Sequence, residues 1–132
     1  MLIDYYSGKK ILITAGPTYE KIDPVRFIGN YSTGKMGYAI AEELANLGAD
    51  VHLVSGPVHI QTQNPNIKLY KVESALEMLE ICTNLFADCD VAIMAAAVAD
   101  YRPESFETNK IKKHSDDLVL KLVKNPDILA TL

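Results

Sequence analysis

The chain has 132 residues, 48% of them hydrophobic and 23% charged, with a formal net charge of −4. That length supports one modest core, and the mixed composition is that of a soluble globular protein. The acidic balance argues against a general nucleic-acid-binding surface. No apolar run approaches the ~18 residues of a membrane span, and the polar start MLIDYYSGKK lacks the apolar core of a signal peptide. The expectation is a cytoplasmic protein with neither a membrane nor a nucleic-acid partner.

Taken in order, residues 10–15 form a short apolar run ending in Gly16-Pro17, and read as a fully buried strand. An unusually long loop follows. The spacing then predicts a helix over residues 35–47, with Met36, Ile40, Leu44 and Leu47 inward and Gly48 as the stop. Residues 50–55 are a second buried strand closed by Gly56-Pro57, and residues 67–72 a third. Ser74 caps a second helix to about Ala87, its inner face formed by Leu76, Leu79, Cys82, Leu85 and Phe86.

Residues 91–96 make the fourth and most apolar strand. A polar, lysine-bearing segment over residues 100–117 precedes a fifth strand at residues 118–123. Asn125-Pro126-Asp127 then reads as a helix start, with Asn as cap, Pro in the first turn and Asp favouring the dipole. That helix has hardly begun at Leu132, so the chain reads as cut short.

Alternating strands and helices predict an α/β fold, a Rossmann-like doubly wound parallel sheet truncated at its C-terminus. With strand order 3-2-1-4-5, the first and fourth strands flank the topological switch point, where such folds bind ligands. Gly16, residues 29–37 and residues 95–100 should line the pocket.

The stretch GNYSTGKMG, residues 29–37, matches the phosphate loop G-x-x-x-x-G-K-[ST] except that Met36 stands where a hydroxyl should reach magnesium. A true phosphate loop also follows its strand directly, whereas here more than a dozen residues intervene. A dinucleotide site would need an acid after the second strand, where this chain has Ser55-Gly56-Pro57. Two readings stay open. One is a glycine-rich loop with an ordinary Ser/Thr cap. The other, favoured by its placement at the switch point, is an anion cradle: Ser32, Thr33 and Gly34 at a helix N-terminus, with Lys35 adding charge.

Lys110-Ile111-Lys112-Lys113 is either a solvated loop or a cluster that neutralises a triphosphate. Alanines in residues 95–99 either let a flat base lie against the backbone or serve tight packing. Cys82 and Cys89 are seven apart, about 10 Å of helical rise, too far to bridge within a helix. They read as core thiols. His52, His59 and His114 share no metal-ligand spacing. With no catalytic triad or paired carboxylates, chemistry here would work by positioning and electrostatic stabilisation.

The segments ILITAGPTYEKIDPVRFIGNYSTGKMG, ADVHLVSGPV, AAAVADYRP, NKIKK and LVKNPDIL together resemble the bacterial CTP-dependent phosphopantothenate–cysteine ligase (phosphopantothenoylcysteine synthetase) family. They run in family order across nearly the whole chain. The resemblance implies that residues 1–132 are a nucleotide-binding synthetase domain lacking its C-terminal part. It implies ligation in coenzyme A synthesis, in which the 4′-phosphopantothenate carboxylate attacks the α-phosphate of CTP. The amine of cysteine then displaces CMP from the acyl-cytidylate. Magnesium accompanies such a triphosphate.

Carried over residue by residue, the resemblance makes Asn30 and Lys110 the catalytic candidates. Arg26, Asn30 and Ala96 would meet the phosphopantothenate substrate. Gly16, Ser32, Thr33, Gly34 and Lys35 are expected at the nucleotide, with Met94, Ala95, Ala96, Asp100 and Lys110. The turn Val123, Lys124, Asn125 and Pro126 completes that set. A homodimer and association with a flavin-dependent decarboxylase are also implied, and no metal ligand is named. The alternative is an inactive or non-catalytic nucleotide-binding fragment of the same enzyme.

Overall fold

A computed structural model describes residues 5–107 and 117–132. Its centre is a parallel sheet of β1 (Lys10–Ala15), β4 (Asp50–Ser55), β5 (Ile67–Lys71) and β6 (Val91–Met94), in the order β5-β4-β1-β6. The four sheet strands of the sequence reading therefore stand in their expected order, with β1 and β6 adjacent across the switch point. Helices α1 (Lys35–Asn46) and α2 (Ala75–Phe86) complete the crossovers.

Alternation along β1 divides the core. Ile11, Ile13 and Ala15 pack with Tyr38, Ala41, Ala45, Val51 and Leu53 on the α1 side. Leu12 turns to the other face, against Val54, Met78, Cys82 and Ile128. Each fully buried aliphatic side chain contributes roughly 1.5–3 kcal/mol. Both faces of β1 are covered, which explains why its sequence reads as a continuous apolar run.

Helix α1 corrects the expected inner face. Met36 is 70% exposed, and the buried positions are Gly37, Tyr38, Ala41 and Ala45. Ile40 and Leu44 pack only at the margin of the core. A Cβ on Gly37 would lie 2.5 Å from the Cβ of Ala15. The helix presses its smallest residues onto the sheet, and the bulky Met36 is left outside. Along α2 the fully buried residues are Ala75, Met78 and Cys82, whereas Leu76 and Phe86 are largely exposed. Ser74 caps α2 as expected, its hydroxyl accepting from the Glu77 amide at 3.2 Å.

The long loop contains a small antiparallel hairpin, β2 (Glu20–Lys21) with β3 (Phe27–Ile28). Its polar anchors are buried. Glu20 accepts from the Ala75 amide at 3.0 Å, and Asp23 accepts from the Val25 and Arg26 amides, both at 2.9 Å.

The expected fifth parallel strand does not join the sheet. Residues Leu122–Lys124 form β8, which pairs antiparallel with β7 (Tyr101–Pro103) in a separate two-stranded ribbon. A parallel return needs a crossover with an apolar face to cover the sheet, and the polar sequence between them offers none. Leu118 and Val119, read as part of that strand, are exposed. Asn125 is likewise not the helix cap. Asp127 caps the short α3 (Ile128–Thr131), accepting from the Ala130 amide at 3.0 Å.

Candidate functional site

The C-terminal ends of β1 and β6 are stitched together by polar groups from the end of β1, the turn after it and the loop before α1. Thr14 Oγ1 accepts from the Ala96 amide at 3.2 Å, and the buried Thr18 hydroxyl accepts from the Ala99 amide at 2.9 Å. The Ala97 carbonyl receives the Asn30 side-chain amide at 2.8 Å, while Asn30 Oδ1 accepts from the Ser32 amide at 3.0 Å. Asn30 thus fastens the loop before α1 to the strand end beyond β6.

Two clefts open around these stitches. The first, about 410 Å³, lies at the switch point between Thr14, Met94, Ala96 and residues 98–100 on one wall and residues 124–129 on the other. The second, about 530 Å³, lies between Tyr19, residues 30–33 and residues 57–60. The first gathers Met94, Ala96, Asp100, Lys124, Asn125 and Pro126 from the expected nucleotide set. The second gathers Asn30, Ser32 and Thr33. In place of the expected single pocket there are two clefts with no lining residue in common, and the bond from Asn30, in the second, to the Ala97 carbonyl runs between their elements.

Other expected residues stand back. Ala95 donates its amide to the Thr14 carbonyl at 3.2 Å and lines neither cleft. Val123 pairs with Arg102 in the ribbon. Arg26 sits in the hairpin turn, its Nε 3.1 Å from an Asp23 carboxylate oxygen, and borders neither of these clefts. Lys35 is exposed at the start of α1. Lys110, Lys112, Lys113 and His114 lie outside the described residues.

Gly34, not a Ser or Thr, is the N-cap of α1, with φ 79° and no side-chain capping bond. Its left-handed backbone turns the chain tightly against Gly16, whose Cα a Cβ on Gly34 would approach at 3.4 Å. Ser32 Oγ accepts from the Gly34 amide at 3.3 Å, one step before the helix. The first-turn amides of α1 keep no intrahelical acceptor, as at any helix start. The helix start is thus built by a glycine cap and not by a Ser or Thr side chain.

Sequence reasoning missed Thr14, Thr18, Tyr19 and residues 57–60. Thr14 and Thr18 were recoverable as polar residues at the end of an otherwise apolar strand and in its turn. Residues 57–60 follow the Ser55-Gly56-Pro57 turn beside the switch point. Asn125, read as a cap, is buried in the wall of the first cleft and donates to the Ala99 carbonyl at 2.8 Å.

The thiols lie away from both clefts, and both are free. Burial, with the nearby Cys89 adding to it, pushes the Cys82 pKa up to about 11. Burial raises Cys89 as well. His52 is buried on the sheet, its Nδ1 2.9 Å from the Tyr70 hydroxyl. Among the described residues, no three His, Cys, Asp or Glu side chains converge as a metal site. No described helix is long and apolar enough to cross a membrane.

Comparison with known proteins gives matches over nearly the whole chain, under two different names. The chain is 48% identical over 126 residues to a "Cysteine/Cysteine sulfinic acid decarboxylase" from an unknown prokaryotic organism, covering 96% of this chain and 35% of that protein. It is 52% identical over 127 residues to the "Coenzyme A biosynthesis bifunctional protein CoaBC" of Vibrio parahaemolyticus, covering 95% of this chain and 32% of that one. The chain thus spans about a third of the length of these curated relatives. Among solved structures, the C-terminal domain of a CoaBC protein superposes with a TM-score of 0.81 at 50% identity, covering 96% of this chain and 58% of that one. A family model, the DNA/pantothenate metabolism flavoprotein C-terminal domain, matches residues 6–132, and the chain belongs to that family.

Proposed function

We propose that this chain is the nucleotide-binding part of a phosphopantothenate–cysteine ligase of coenzyme A synthesis that uses CTP. The observation that carries the reading is the first cleft, which assembles Met94, Ala96, Asp100, Lys124, Asn125 and Pro126 at the switch point of the sheet. The likeness to CoaBC proteins over nearly the whole chain supports it.

In this reading the base and ribose lie in the first cleft, where the small side chain of Ala96 gives access to the backbone. The triphosphate runs toward the start of α1. The phosphopantothenate carboxylate attacks the α-phosphate, pyrophosphate leaves, and the cysteine amine then displaces CMP. Neither step calls on a protein nucleophile, and the described thiols lie outside the clefts. The protein's part is alignment and charge stabilisation.

Asn30 lines the second cleft. One Nδ2 hydrogen holds Ala97, and the other is available to a substrate carbonyl as charge develops. Asp100 and Asp127 are the carboxylates lining the first cleft. Magnesium is bound through one or two carboxylates plus substrate phosphates, so these residues fit it once a triphosphate supplies the rest. When bound, it would neutralise phosphate charge. A homodimer, association with a flavin-dependent decarboxylase and a cytoplasmic location belong to the same proposal.

The test pairs calorimetry of CTP and ATP binding with pyrophosphate release in the presence of 4′-phosphopantothenate and cysteine. CTP binding with turnover supports the ligase. Binding without turnover supports a non-catalytic nucleotide module. Binding of neither nucleotide contradicts both readings. Lys110→Gln is expected to slow acyl-cytidylate formation, and Asn30→Asp to impair mainly the passage to product; equal losses in both half-reactions would remove those separate roles.

A further inference from the structure

We propose that Arg102 is a positioning residue for the first cleft, acting through Asn125; this rests on reading that cleft as a nucleotide site. Asn125 is 5% exposed and joins the two walls. Its Nδ2 donates to the Ala99 carbonyl at 2.8 Å, and its backbone amide donates to the Asp100 carbonyl at 2.8 Å. Its Oδ1 points the other way and accepts from Arg102 Nη1 at 3.0 Å. The same nitrogen donates to the Lys124 carbonyl at 3.1 Å.

These partners fix which way the amide faces. A guanidinium only donates and a carbonyl only accepts. Flipping the Asn125 amide would set Nδ2 against the Arg102 donors and Oδ1 against the Ala99 carbonyl, two repulsive contacts in place of two bonds. Arg102 therefore locks Asn125 in the one orientation that binds Ala99. The β7–β8 pairing, Arg102 opposite Val123 and Tyr101 opposite Lys124, brings the guanidinium to this spot. Arg102 itself lines a neighbouring recess with Tyr19, Glu20 and Ser74 and not the first cleft, so its effect is indirect.

Without the guanidinium, Asn125 loses its charged donor and the lock on its amide orientation, and its side-chain bond to Ala99 weakens. Calorimetry on the full chain should show Arg102→Gln weakening CTP binding about tenfold, or about 1.4 kcal/mol. Arg102→Lys, which keeps a charged donor, should lose only about threefold. In an Asn125→Ala background, Arg102→Gln should add little, since both act on one link. Lys121→Ala breaks an exposed ion pair with Glu104, 3.4 Å long, on the same ribbon and should leave affinity unchanged.

Affinity within twofold of the parent in a folded Arg102→Gln chain would overturn the proposal, as would an equal loss in Lys121→Ala or full additivity with Asn125→Ala. Should Arg102→Gln fail to fold, Arg102→Lys decides, with an unchanged affinity counting against. Failure of the unsubstituted chain to bind CTP or ATP overturns the nucleotide reading itself and this proposal with it, an outcome distinct from a defect seen only in the variants.

Discussion

On the α1 side of β1, backbone packs directly on backbone. A Cβ on Gly37 would sit 2.5 Å from that of Ala15, and one on Gly56 only 1.6 Å from the Pro17 carbonyl oxygen. On the β6 side, side chains hold backbone at hydrogen-bond distance, through Thr14, Thr18, Asn30 and Asn125. The steric seam admits no added atom, whereas the polar stitches can be broken singly. The first cleft lies on the stitched side and the start of α1 on the seam. A ligand spanning both would meet one rigid wall and one whose fit depends on a few amides and hydroxyls.

The largest effect should come from the seam. Gly56→Ala places a methyl group into backbone that has nowhere to move, and denaturant unfolding should show a loss of about 3 kcal/mol or more. A near-neutral Gly56→Ala would mean that the seam yields. On the stitched side, Thr18→Val keeps the shape but leaves the part-buried Ala99 amide without its hydroxyl partner. The expected loss is about 1–3 kcal/mol, less than for Gly56, with a weaker grip on nucleotide.

A smaller effect is pH-dependent. Cys82 has its pKa raised from 9.0 to about 11 by burial and by Cys89. Between those values the unfolded chain has already lost the proton that the folded chain keeps, so stability falls as pH rises through that window. Below it, the contribution is constant. Unfolding curves across the window should show this slope, and Cys82→Ala should reduce it by the Cys82 share, the raised Cys89 keeping its own. Smallest of all, Met36→Ala should change stability by no more than about 0.5 kcal/mol, because the side chain is 70% exposed. A loss of core size would restore Met36 to the interior.

The same contrast explains what the sequence could tell. Long apolar runs bounded by Gly-Pro identified β1 and β4, because burial on both faces leaves a continuous signal. The inner face of α1 was misassigned because hydrophobic spacing favours Met36 and Leu44. Close packing on a sheet instead selects Gly37, Ala41 and Ala45 for their smallness. The ribbon was missed because the apolar run over residues 118–123 gives no sign of whether its partner is parallel or antiparallel. Ala96 and Asp100 were expected at the cleft because strand order fixes the switch point, whereas Met94 came only from the family resemblance. Asn125 was placed correctly and given the wrong task, since a cap and a wall clamp ask for the same amide. The Asn30–Ala97 bond joins residues 67 apart, a contact that no local pattern encodes.

The central claim is that nucleotide occupies the first cleft. An NMR map of backbone amide shifts during CTP titration tests it most directly. The account predicts the largest shifts in residues 94–100 and 124–129, with smaller ones at the start of α1. Shifts confined to residues 57–60 and the hairpin, or no saturable shifts at all, would contradict it.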